Sequence, residues 1–106
     1  MANLRLTPTA PSETDIKHQI RDYLNRKSIF NFYCLQGMGA FKGVPDRIFI
    51  YKGVVVFLEI KKEKGIQSPH QIHFQAEIER SGGRYLLARS VDDVIAEVGR
   101  ISYEHR

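Results

Sequence analysis

Residues 44–61 read Val44-Pro45-Asp46-Arg47-Ile48-Phe49-Ile50-Tyr51-Lys52-Gly53-Val54-Val55-Val56-Phe57-Leu58-Glu59-Ile60-Lys61, two strand-like runs around Lys52-Gly53. Branched and aromatic residues on both sides of a dipeptide ending in glycine predict a hairpin with a two-residue turn. Such a turn sets Tyr51 opposite Val54. The same register carried outward sets Asp46 opposite Glu59, with both side chains on one face. Lys61 lies two residues beyond Glu59 and shares that face. Two acids placed directly opposite repel, and a sheet does not adopt that pairing for stability. A bound divalent cation would remove the conflict.

The rest of the hairpin is apolar on both sides. Ile48, Ile50, Val55 and Phe57 share the acid face, while Phe49, Val54, Val56 and Leu58 occupy the other. This pattern predicts a sheet covered on both faces. Upstream, Ser12 and Asp15 have capping-box spacing, and Ile16, Ile20, Tyr23 and Leu24 fall on one helical face. Asn25-Arg26-Lys27 ends that helix, and Ile29 to Leu35 reads as a strand. Gln36 to Pro45 is a loop containing Gly37, Gly39 and Gly43. Downstream, Ser68-Pro69 with Gln71 opens a second helix that Ser81-Gly82-Gly83 stops. Arg84 to Ala88 is a fourth strand, and Ser90 caps a last helix through Val91, Val94, Ile95 and Val98. The expected order is α-β-β-β-α-β-α. Residues 1–11, with Pro8 and Pro11, read as a loose arm ahead of a single domain spanning 12–106.

Composition narrows the class. With 42% apolar and 26% charged residues the chain reads as an ordinary globular domain able to bury one modest core. A net charge of +4 mildly favours a polyanionic partner. The single cysteine, Cys34, excludes an internal disulfide and a multi-cysteine zinc site, and reads as a buried reduced thiol. No secretory h-region precedes Ser12, and the apolar run Val54 to Leu58 is far too short for a bilayer. The expectation is a soluble intracellular protein, cytoplasmic or nucleoid-associated, without a membrane partner.

Hard cations such as Mg²⁺ bind through one or two protein carboxylates plus waters and substrate phosphate, and Asp46 and Glu59 supply such oxygens. The Ile60 side chain points away from them, but its backbone carbonyl can face the ion. Lys61 can orient water or offset charge growing on phosphorus. Hydrolysis of a phosphodiester is the natural reaction for this set. Lys42, Arg47, Lys62, Lys64 and Arg84 cluster near the same edge in sequence and can follow phosphates. His70 and His73 are one helical turn apart, but no third ligand is evident for zinc.

The ordered set Glu13, Gly43-Val44-Pro45-Asp46, Glu59-Ile60-Lys61, Ser68-Pro69-His70-Gln71, Ser81-Gly82-Gly83 and Ser90-Val91-Asp92-Asp93 resembles the PD-(D/E)xK nuclease superfamily. More narrowly it resembles the VRR-NUC domain, the virus-type replication–repair nuclease module. The resemblance spans roughly residues 12–98. It departs at Pro45-Asp46, where the narrower family often has Ser-Asp. It implies a restriction-endonuclease-like αβββαβ core, an α/β fold with a mixed central sheet flanked by helices on both faces. It further implies a metal-dependent deoxyribonuclease using Mg²⁺ or Mn²⁺. Asp46 and Glu59 would be metal ligands, Lys61 would be catalytic, and Glu13 and Gln71 would support the site, Glu13 as a further ligand. Stand-alone members resemble Holliday-junction resolvases, which implies branched or four-way-junction DNA as substrate, a homodimer, and a viral or bacterial setting. Two rivals stand beside this reading: an inactive DNA-binding or assembly module on a nuclease fold, and a restriction-type sequence-specific endonuclease.

Overall fold

The computed structural model describes residues 10–35 and 41–105. The elements run α1 (Glu13–Arg26), β1 (Phe30–Tyr33), β2 (Arg47–Tyr51), β3 (Val54–Ile60), α2 (Pro69–Arg80), β4 (Arg84–Ala88) and α3 (Val91–Glu104). The strands form one sheet in the order β1-β2-β3-β4. The first two pairings are antiparallel and β3 pairs with β4 in parallel, so the sheet is mixed. The expected α/β class and element order are borne out.

Local chemistry explains each boundary. Lys52 at φ 50° and Gly53 at φ 80° make the left-handed two-residue turn that sets Tyr51 against Val54. Ser12 accepts from the Asp15 backbone N–H while the Asp15 carboxylate accepts from that of Ser12, and Ser68 with Gln71 repeats the box on α2. β1 is shorter than the run Ile29 to Leu35 predicted. Ile29 is buried just after a turn in which Ser28 takes φ 57°, and Leu35 is exposed beyond the last pairing.

The two faces of the sheet differ more than the hairpin pattern predicted. Phe49, Val56, Leu58 and Ile60 are buried with Ile16, Ile20 and Leu24 of α1 and Val94, Val98 and Ile101 of α3. Burying this many large apolar side chains, at roughly 1.5–3 kcal/mol each, makes this layer the main source of stability. Among the described helices the acid face receives α2 alone, which buries none of its residues fully and meets the sheet through Phe74 on Phe57. Phe30, Phe32, Ile50 and Val55 on that face are exposed among the described residues. The expected cover on both faces is present, but it is unequal. Helices do flank both faces, but a helix of 12 residues reaching β3 and β4 cannot also shield β1 and β2.

Candidate active site

The site is built at the end of the hairpin remote from its turn. The observed register, Tyr51 with Val54 through Arg47 with Leu58, leads Asp46 to Glu59. Asp46 Oδ2 accepts the Ile60 backbone N–H at 2.7 Å, which fixes the aspartate across the strand gap. The Ile60 side chain is buried in the opposite layer, as expected, leaving its peptide at the edge of the site.

Glu59 is 2% exposed, and its two oxygens differ. Oε2 accepts from the Gln71 side-chain amide at 2.8 Å and lies 3.7 Å from Lys61 Nζ. Oε1 is buried without any hydrogen-bond partner among the described residues. Burial, and then the charge of Asp46, push the Glu59 carboxyl up to about 8, against the pull of Lys61. A buried carboxylate oxygen without a donor among the described residues is costly when charged, which leaves room for a cation or for a proton shared with Asp46.

Gln71 reaches Glu59 because the loop before β2 packs against the start of α2. Gly43 lies at φ +84°, and a Cβ there would meet the His70 carbonyl oxygen at 2.1 Å. Only glycine permits this approach. Gln71 has a double task, since its side-chain oxygen accepts from the Ser68 backbone N–H while its amide nitrogen holds Glu59. Gly37 and Gly39 lie outside the described residues.

Glu13 stands in the first turn of α1. Its carboxylate is 3.2 Å from Lys17 Nζ, which also lies 3.3 Å from Asp46 Oδ1. Burial disfavours the Lys17 ammonium, but Asp46 and Glu13 outweigh it and hold its pKa above the ordinary value. Among the described residues no three acidic, histidine or cysteine side chains converge as a ready-made cage. What the chain offers is a pair, Asp46 and Glu59, with Glu13 beyond Lys17. A pair of carboxylates with an orphaned oxygen fits Mg²⁺ or Mn²⁺, which keep several waters and need few protein ligands.

No family model matches the chain, and no curated protein matches it. Solved structures do. A protein described as "VRR_NUC domain" superposes with a TM-score of 0.69 at 22% identity, covering 81% of this chain and 97% of its own. Another, "VRR_NUC domain protein", gives a TM-score of 0.73 at 20% identity, with 86% of this chain and 88% of that one covered. This chain has the VRR-NUC fold. The resemblance read from the ordered motifs is borne out at the level of fold.

Within the VRR-NUC fold the basic residues separate into groups. Lys62 and Lys64 are exposed and share an open cleft of about 700 Å³ with Ser12, Glu13 and Thr14. Lys42 is exposed before β2. Arg47 flanks Asp46 and donates to Asn31. Arg84 is a correction. It lies on the face covered by α3, where it is tied to Glu97 and Glu104, at the end of β4 remote from Glu59. Its guanidinium is engaged by those two carboxylates. Cys34 is half-buried, and burial raises its thiol pKa.

Two contributors escaped the sequence reading. Lys17 was signalled by its spacing of four from Glu13, a standard helix ion pair. Arg89 gave no local signal. Its guanidinium binds the carbonyls of Lys62, Glu63 and Gly65 and so shapes the loop that carries the basic side chains.

Proposed function

We propose that this chain is a metal-dependent deoxyribonuclease that cleaves phosphodiester bonds, selective for branched DNA and working as a homodimer. The observation that carries the reading is Glu59: buried, opposite Asp46, and with one oxygen lacking any partner among the described residues. Asp46 and Glu59 would hold the ion, with the Ile60 carbonyl at the same edge and Glu13 behind Lys17. A bound Mg²⁺ or Mn²⁺ would supply a water of lowered pKa and positive charge at the phosphoryl oxygen. Gln71, bonded to the other oxygen of Glu59, would hold that carboxylate in place for the ion. Lys61, two residues along the same face, places its ammonium where it can steady the attacking water or meet charge on the phosphate. Lys42, Arg47, Lys62 and Lys64 supply positive charge around the site for the backbone of the nucleic acid.

The two VRR-NUC structures support the nuclease class by their fold and name. The exposed apolar strip of Phe30, Phe32, Ile50 and Val55 supports self-association, since a patch of this kind on a sheet marks an interaction surface. No described helix is long and apolar enough to cross a membrane.

The test is cleavage of a labelled panel of linear duplex, single strand, splayed arm and four-way junction, in Mg²⁺, Mn²⁺ or EDTA. Metal-dependent cutting that is lost in Asp46→Asn and Lys61→Ala is the expected result. Binding without cutting in either metal would replace this reading with an inactive DNA-binding module. Cutting confined to one short sequence would favour a restriction-type enzyme. Light scattering on the purified chain tests the dimer, which should dissociate on Phe32→Lys.

A further inference from the structure

Among the described residues Lys17 is the cation that forms an ion pair with Asp46. One helical turn after Glu13, its Nζ lies 3.2 Å from Glu13 Oε2 and 3.3 Å from Asp46 Oδ1. An ammonium there does what a metal ion would do electrostatically, since it places positive charge between acids that otherwise repel. The same contact gives Lys17 and any ion at Asp46 a shared ligand, so the two compete for it.

Lys17 also borders a cleft of about 270 Å³ with Tyr33, Cys34, Asp46, Arg47 and Ile60. Arg47 brings a second positive charge to this cleft, and Tyr33, 67% exposed, brings an aromatic face of the kind on which a nucleic-acid base stacks. While Lys17 is neutralised by two carboxylates, the cleft presents little net charge: Glu13 and Asp46 offset Lys17 and Arg47. A divalent ion at Asp46 would add two positive charges and release the ammonium, and the cleft would then suit an anion.

We propose that Lys17 is a tethered counter-cation that yields Asp46 to the divalent ion and then presents its ammonium, with Arg47, to a backbone phosphate held in the cleft beside Tyr33. This inference rests on the metal-dependent reading above and adds a coupling to it: ion and phosphate each tighten the binding of the other. Lys17 acts on the ion through Asp46 and is a positioning residue in that role.

The experiment measures Mn²⁺ binding to the full chain by calorimetry, without nucleic acid, for wild type, Lys17→Met, Lys17→Gln and Lys17→Arg. Removal of the charge should tighten Mn²⁺ binding roughly two- to fivefold, the worth of one partly exposed ion pair, and arginine should restore the wild-type value. A lysine that merely braces α1 against the sheet would give the opposite result, because a loosened Asp46 binds metal less well. A second arm follows anisotropy of a labelled oligonucleotide with hydrolysis-resistant linkages, in Ca²⁺ and in EDTA. Lys17→Gln should weaken it in Ca²⁺ and leave it unchanged in EDTA. Unchanged or weaker Mn²⁺ binding, or an equal loss of oligonucleotide with and without the ion, overturns the proposal. The two readings fail separately. If wild type takes up no Mn²⁺, the metal-dependent reading falls with this one; if wild type binds and the variants match it, only the role of Lys17 falls.

Discussion

Glu59 and Glu97 are both buried acids, 2% and 6% exposed, yet their surroundings are opposite. Glu97 on α3 is clamped by Arg84 on one oxygen and Arg100 on the other. Burial alone would raise its pKa, but the two guanidinium groups more than reverse this and hold it below the ordinary value. Glu59 on β3 has an amide and a more distant ammonium on one oxygen, and no donor on the other among the described residues. Burial and Asp46 push it up to about 8. The first glutamate is finished by its own chain and fastens β4 to α3. The second keeps an oxygen without a donor among the described residues, and the proposed site rests on that difference.

Cleavage should separate the two acids most. Glu59→Gln and Asp46→Asn should abolish metal-dependent DNA cutting, whereas Glu97→Gln should leave the turnover of the folded enzyme unchanged. Equal loss in all three would erase the distinction. Next in size is Gln71→Ala, which frees the one well-bonded oxygen of Glu59. It should lower metal affinity or activity about 10–100-fold, as loss of a group orienting a metal ligand does.

Stability should shift in opposite directions. In EDTA at pH 9, Glu59→Gln should raise the unfolding free energy, because a buried carboxylate becomes a neutral amide, by about 1–3 kcal/mol. Glu97→Gln should lower it by a similar amount, since the Arg84 side chain loses a charged partner. Urea titrations of both variants measure the difference. A loss of stability in Glu59→Gln would mean that its charge is satisfied after all.

The same contrast sets the pH slope. Glu59 has a folded pKa above its unfolded value, so the native state holds its proton more tightly. Its contribution is fully present below about 4.5 and is lost as pH rises through about 8. Glu97 has a folded pKa below its unfolded one, so its contribution is present above the unfolded value and is lost as pH falls through the folded one. Metal-free protein should therefore lose stability between about pH 4.5 and 8, and Glu59→Gln should flatten that limb. Saturating Mg²⁺ should flatten it too, by competing with the proton for Glu59.

Much of this comparison was legible in the chain. The opposition of Asp46 and Glu59 follows from a two-residue turn and a period of two, both local properties. The caps at Ser12 and Ser68 are contacts over three residues. The apolar face of α1 is a matter of spacing. What was not legible joins residues far apart in sequence. Arg84 looked like a phosphate contact until α3 delivered Glu97 and Glu104 to it. The hairpin looked equally apolar on its two faces, and only the reach of α2 leaves Phe30, Phe32, Ile50 and Val55 exposed.

By itself, then, the sequence determined the order of the elements, the hairpin register and the placing of two acids and a lysine on one face. Turn chemistry, capping and residue alternation act over a few residues, so they can be read without the fold. The tertiary structure alone decided which acid keeps an oxygen without a donor among the described residues, and that Lys17 stands against Asp46. Those depend on which side chains α1, α2 and α3 bring up to the sheet. Packing of the whole core sets that, and no local pattern encodes it.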